Sequence, residues 1–169
     1  MEKELTSLMR KVQERFNNRS IMINITIEQV AKNDSFSVQY ERGKKSLDVR
    51  KTLDKLQKTA QSSGASNNTI VYFFSAYDLL ENSSRGDRIP HSHTDVATFW
   101  TFCSNETSAA VVKHKHESRN FISALSATAF TFGSQSYSYF HGQNWKRMAE
   151  AFGRCKGENL PATPDKASP

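Results

Sequence analysis

Cysteine is scarce in this chain: Cys103 and Cys155 are the only two among 169 residues. Two are too few for the disulfide framework on which small secreted folds rely, so two free thiols are expected. Also lacking is any apolar run long enough to cross a bilayer. No basic start followed by an apolar stretch marks a signal peptide, because Met1-Glu2-Lys3-Glu4 leads straight into an amphipathic pattern. These absences predict an intracellular protein, cytoplasmic or nuclear.

The absence of a signal peptide also sets aside two surface motifs that act outside a cell. One is the set of Asn-x-Ser/Thr triplets beginning at Asn18, Asn24, Asn33, Asn67, Asn82 and Asn105; the other is Arg85-Gly86-Asp87. On this reading the triplets reflect turn chemistry in a chain rich in Asn and Ser.

What the chain does hold is material for one core. Its length suits a single domain, which can bury roughly two-thirds of the unfolded surface, and eleven Phe, five Tyr and two Trp supply large side chains. The expected domain covers residues 1–157, and the proline-bearing stretch 158–169 is expected to be a disordered tail.

Leu5, Leu8, Met9, Val12 and Phe16 recur at helical spacing and predict a helix over about 3–16. Ile21, Ile23, Ile25 and Ile27 alternate with polar residues, as do Phe36, Val38 and Tyr40, which predicts a hairpin of two half-buried strands. A second helix follows from Val49, Leu53, Leu56 and Ala60, with Ser46 or Asp48 as its cap. The stretch 70–77 is apolar on both faces, as in a central strand. Strands at about 96–103 and 109–115 form a second hairpin. The stretch 121–132 suits either helix or strand. Gln135, Tyr137 and Tyr139 alternate with serines as a strand would, and Asn144 is expected to cap a last helix carrying Trp145, Met148, Ala149 and Phe152. The sum is an α+β fold, a mainly antiparallel sheet of five or six strands with N-terminal, middle and C-terminal helices packed on it.

The net charge of +6 is unevenly placed. Residues 1–61 carry +5, residues 62–110 carry −3 and residues 111–157 carry +5. The first block concentrates in Lys44, Lys45, Arg50, Lys51, Lys55 and Lys58, and the second includes Lys113, Lys115, Lys146 and Arg147. If they share a face, these cations could lie along phosphates, where the release of condensed counterions supplies affinity independent of sequence. The competing reading is plain: a lysine stripe opposite a leucine stripe keeps any surface helix soluble, and Trp145 belongs to an apolar stripe.

Chemistry is represented by two His-x-His pairs, His91/His93 and His114/His116. On a strand, residues i and i+2 point the same way, as two imidazoles on one metal require. Against this, Lys113 and Lys115 flank the second pair, and the first falls in a loop. No cofactor is implied, no paired carboxylates mark an acid/base site, and no catalytic residue is nominated.

The expectation is therefore a non-enzymatic basic module for binding or assembly, with an anionic polymer such as RNA as first candidate partner. An anionic membrane surface fits the same electrostatics. The alternatives are a self-associating scaffold of viral matrix-like or coat-like type, and a metal-dependent enzyme using the histidine pairs.

Overall fold

The computed structural model describes residues 1–86 and 89–156. The elements run α1 (Glu2–Asn17), a 3-10 turn (Asp34–Phe36), β1 (Ser46–Asp48), α2 (Val49–Ser62), β2 (Ile70–Ser75), β3 (Asp78–Glu81), β4 (His91–His93), β5 (Asp95–Ala97), β6 (Ser108–Lys113), α3 (Ile122–Phe132) and α4 (Gly142–Cys155). No helix is long and apolar enough to cross a membrane among the described residues. The expected tail at 158–169 lies outside them.

The α+β class holds, with four helices, but the single antiparallel sheet does not. Six short strands form two three-stranded sheets, ordered β1-β3-β4 and β2-β6-β5. Each contains one parallel pair, β1/β3 and β2/β6, and one antiparallel pair, β3/β4 and β5/β6. The central strand is β6; β2, expected in the centre, is an edge and is half-buried along its length.

β6 explains the layering. Its residues Ser108 to Val112 are all buried. Ala110 and Val112 join a cluster with Leu8, Val12, Phe16, Leu125 and Met148, whereas Ala109 and Val111 join one with Leu47, Val49, Leu53, Leu56 and Leu79. Alternate residues of a strand face opposite ways, so α2 covers one face of this sheet and α1, α3 and α4 belong to the other. At roughly 25 cal/mol for each Å² of apolar surface removed from water, these two clusters are the main favourable contribution to folding.

Asp48, where β1 ends, caps α2 by accepting from the Lys51 N–H at 3.0 Å. The undecided stretch 121–132 is helical: Ala124, Leu125, Ala127, Thr128, Ala129, Thr131 and Phe132 are all buried, so α3 shows no polar stripe from which its period could be read. Gly133 ends it at φ 104°, and a Cβ there would lie 2.7 Å from Trp100 Cδ1 and 2.8 Å from Arg147 Cβ. Conformation and space both demand glycine at that position.

Three expected strands are absent. Ile21 to Ile27 do alternate, with Ile21 buried and Ile23, Ile25 and Ile27 packed against the core, but the segment pairs with no strand. The α1 side chains take over that role: Asn17 Oδ1 accepts from the Ile23 N–H and Gln13 Oε1 from the Ile25 N–H. In place of the second strand, the 3-10 turn ends at Phe36 and residues 37–41 contribute one bridge, Gln39 to Leu47. Residues 135–139 form serine-supported bends, in which the Ser134 and Ser136 hydroxyls accept from the main chain two residues on. The last helix begins earlier than expected, with His141 at its cap, and Asn144 lies inside it, accepting from the Gln135 N–H and from Arg147.

The two cysteines are not free. Cys103 and Cys155 form a disulfide with their Cα atoms 5.0 Å apart, joining the segment after β5 to the C-terminal end of α4. Chain separation gave no hint of this proximity, which follows from how α4 docks. Arg154 donates to the Trp100 and Phe102 carbonyls at 3.0 and 2.9 Å while lying over the Trp100 ring, and the Trp100 indole N–H donates to the Arg147 carbonyl.

Candidate functional site

The chain passes from one sheet to the other between Ser75 and Asp78, across two exposed residues. Parallel pairing sets Asp78 opposite Ser46 and Ser75 opposite Lys113, so the first residues of β1 and β3 meet the last residue of β6 at one corner. There the Asp78 N–H donates to the Lys45 carbonyl at 3.3 Å, and Lys113 Nζ donates to Asp78 Oδ1 at 2.6 Å. The Lys113 hydrogen bond and charge, with Lys115 adding to the field, hold the Asp78 carboxyl below its ordinary range against a smaller opposing effect of desolvation. The first basic block thus reaches Asp78 through the Lys45 main chain, and the second through the Lys113 ammonium, with Lys115 adding to the field at its carboxylate.

Beside this corner lies an open depression of about 430 Å³, lined by Lys113, Lys115, His116, Glu117, Ser118 and Asn120 among others. The loop forming it is anchored to α1. Glu4, on the first turn of α1, accepts from the Glu117 N–H at 2.7 Å and contacts His116 Nδ1 at 2.8 Å and His114 Nε2 at 3.2 Å. Desolvation raises the Glu4 carboxyl, but the bonds from Glu117, His116 and His114 outweigh it and hold it below its usual range.

The other expected cations fare differently. Arg50 is bonded to Glu81 at 2.7 Å, Lys58 to Asp54 at 2.7 Å and Lys44 to Glu41 at 2.9 Å, while Lys51 lies 3.9 Å from Asp48. Lys55 donates to the Ser35 carbonyl. Arg147 is consumed in the structure: it donates to the Gly133 carbonyl and to Asn144, and lies over the Phe99 ring. Lys146 is exposed on α4, which belongs to the layer across the sheet from α2. Among the described residues no carboxylate forms an ion pair with Lys45, Lys115 or Lys146. The face of α2 is therefore largely neutralised, and only part of each block converges.

The histidine pairs do not meet. His93 bonds to Glu81 at 2.8 Å across the β3/β4 ladder, where His91 stands opposite the same Glu81. His114, its side chain 7% exposed, turns edge-on to Phe74, whereas His116 is 76% exposed. Among the described residues no group of three or more His, Cys, Asp or Glu side chains could hold a metal ion. Instead His93 bonds Glu81, and His114 and His116 both contact Glu4. Glu81 is held low chiefly by the hydrogen bond from Arg50, against desolvation, with His93 adding to the effect.

Sequence reasoning overlooked Asp78, which looked like one of several scattered carboxylates. The only available signal was its position immediately after the apolar stretch 70–77, which places it at a sheet corner.

This geometry defines an α+β module with a cationic corner between two sheets. The chain matches no protein-family model, and no curated protein and no solved structure is significantly similar to it.

Proposed function

We propose that the chain is a non-enzymatic binding module that docks a polyanion, a polymer of phosphate or sulfate groups, at the corner where the Lys45 main chain and the Lys113 and Lys115 side chains approach Asp78. The observation that carries this reading is the meeting of the two basic blocks there: the Lys45 main chain and the Lys113 ammonium both bond Asp78, and among the described residues neither Lys45 nor Lys115 forms an ion pair with a carboxylate. The adjoining depression is lined by the Lys113 and Lys115 ammonium groups with Glu117 as its carboxylate, and it adds His116 and Ser118 as donors. Lysine suits a contact of this kind, because a mobile point charge follows a backbone of anions without reading its sequence. RNA, the expected partner, is one such polymer; a sulfated polysaccharide is the other.

The test is a salt titration of binding to single-stranded RNA and, in parallel, to heparin. Affinity should fall linearly with salt on logarithmic axes. The double variant Lys45→Glu, Lys115→Glu should lower affinity by more than about tenfold and reduce the slope by about 2. Lys51→Ala with Lys58→Ala, removing cations already paired, should change affinity less than about twofold. The polymer that responds identifies the anion. A flat salt response, or equal binding by the corner variant, would end the proposal. A mass above that of the monomer in light scattering, with no polyanion bound, would favour the self-associating scaffold.

A further inference from the structure

We infer that this chain matures in an oxidising compartment and carries N-linked glycans on asparagines of its six Asn-x-Ser/Thr triplets. The inference is independent of the polyanion reading, since it concerns other residues and a covalent modification.

The first support is the disulfide. Had the only two cysteines been left as thiols, an intracellular setting would suit them. They lie 52 residues apart in sequence and are bonded in the fold, with Cys103 buried and Cys155 at the surface. A structural disulfide persists where the surroundings are oxidising and is rare where thiols are kept reduced. The triplets were set aside for want of a secretion signal; the disulfide is an independent observation of the compartment and speaks against that reading.

The second support is number. The chain has eleven asparagines, and Ser and Thr make up about a fifth of its residues, so about two triplets are expected by chance, whereas six occur.

The third is placement. All six triplet asparagines are exposed. Asn18 follows α1; Asn24 points outward from the segment whose Ile23 and Ile25 pack inward; Asn33 caps the 3-10 turn; Asn67 precedes β2; Asn82 follows β3; and Asn105 lies in the turn between β5 and β6. None lies within a helix or strand. By contrast Asn17 and Asn144, which head no triplet, are half-buried and hold main-chain or side-chain donors with their oxygens. Where Asn33 and Asn82 make contacts, they do so through the oxygen, accepting from the Ser35 N–H and the Tyr40 hydroxyl, which leaves the reacting nitrogen pointing elsewhere.

The chemistry requires a polyprenyl-pyrophosphate oligosaccharide as donor. The Asn Nδ2 attacks the anomeric carbon, the N–C bond forms as the bond from that carbon to the pyrophosphate oxygen breaks, Nδ2 loses one proton, and the polyprenyl pyrophosphate leaves. No redox change occurs. A glycan on Asn82 would stand beyond the end of β3 opposite Asp78.

The test uses the native chain isolated from its own source. Peptide-N-glycosidase in heavy-oxygen water converts each glycan-bearing Asn to a heavy-labelled Asp, located by peptide mass spectrometry. In a parallel sample, cysteines are alkylated before and after reduction. The label is expected on two or more of Asn18, Asn24, Asn33, Asn67, Asn82 and Asn105, and Cys103 and Cys155 should alkylate only after reduction. Six unlabelled asparagines, or cysteines that react without reduction, would overturn the inference. Neither readout depends on polyanion binding, so each proposal can fail separately.

Discussion

On one face of β6 a single amphipathic helix, α2, closes the core with Leu53, Leu56 and Ala60. On the other, three helices converge on an aromatic cluster in which Phe16 stacks on Phe140 at 5.2 Å and meets Phe132 at 5.4 Å, and Phe102 and Phe152 both touch Phe132. The α2 face is organised locally: its cap, its apolar stripe and two of its ion pairs lie within one helix and the residue before it. The three-helix face depends on contacts between residues far apart in sequence, with the disulfide and the two α4 arginines joining its parts. The comparison teaches that the chain's stability rests unequally on its two sides, and that its charge is spent differently on each. Lys51 and Lys58 on α2 face neighbouring carboxylates, while arginines on α4 bind carbonyls and rings.

The largest expected effect is on the aromatic side. Phe16→Ala should remove about 3 to 5 kcal/mol in denaturant unfolding, against about 2 to 3 for Leu56→Ala on the α2 face. Equal losses would break the proposed asymmetry. Next, reducing the disulfide, or Cys103→Ser, should lower stability by roughly 4 kcal/mol, because the crosslink closes a loop of 52 residues in the unfolded chain. An unfolding midpoint insensitive to reductant would contradict this.

A smaller loss, about 1 kcal/mol, is expected from Asp48→Ala, which deprives α2 of its cap; Asp48→Asn should restore most of it. The smallest effect is set by pH. The folded chain holds Glu4 below its ordinary value, so the carboxylate contributes stability at pH above the unfolded value, and this contribution fades as pH falls through the lower folded one. Wild type and Glu4→Gln should therefore differ in unfolding midpoint at neutral pH and converge in acid. A gap that widens on acidification would show that the sign is wrong.

Helices α1 and α2 were legible because each sets apolar residues at a 3.6-residue period against a polar side. The last helix was legible in its stripe, though not in its start. α3 was illegible for the opposite reason: it is enclosed nearly all round, so its sequence carries little period. Ile21 to Ile27 show a true alternation of inside and outside, yet alternation reports burial and says nothing about who bonds the main chain; here α1 side chains do. Of the corner, the sequence displayed the lysines in two blocks but gave no weight to Asp78.

Local order thus determined three of the four helices, the β5/β6 hairpin and the uneven charge. The tertiary structure decided the rest: the parallel pairing of β2 with β6, the bond between Cys103 and Cys155, the parting of the histidine pairs, and the meeting of Lys45 with Lys113. The physical reason is reach. Periodicity and capping act within one or two turns of chain, whereas a disulfide, a parallel strand pair or a cluster of charges depends on which distant segments the shared core brings together.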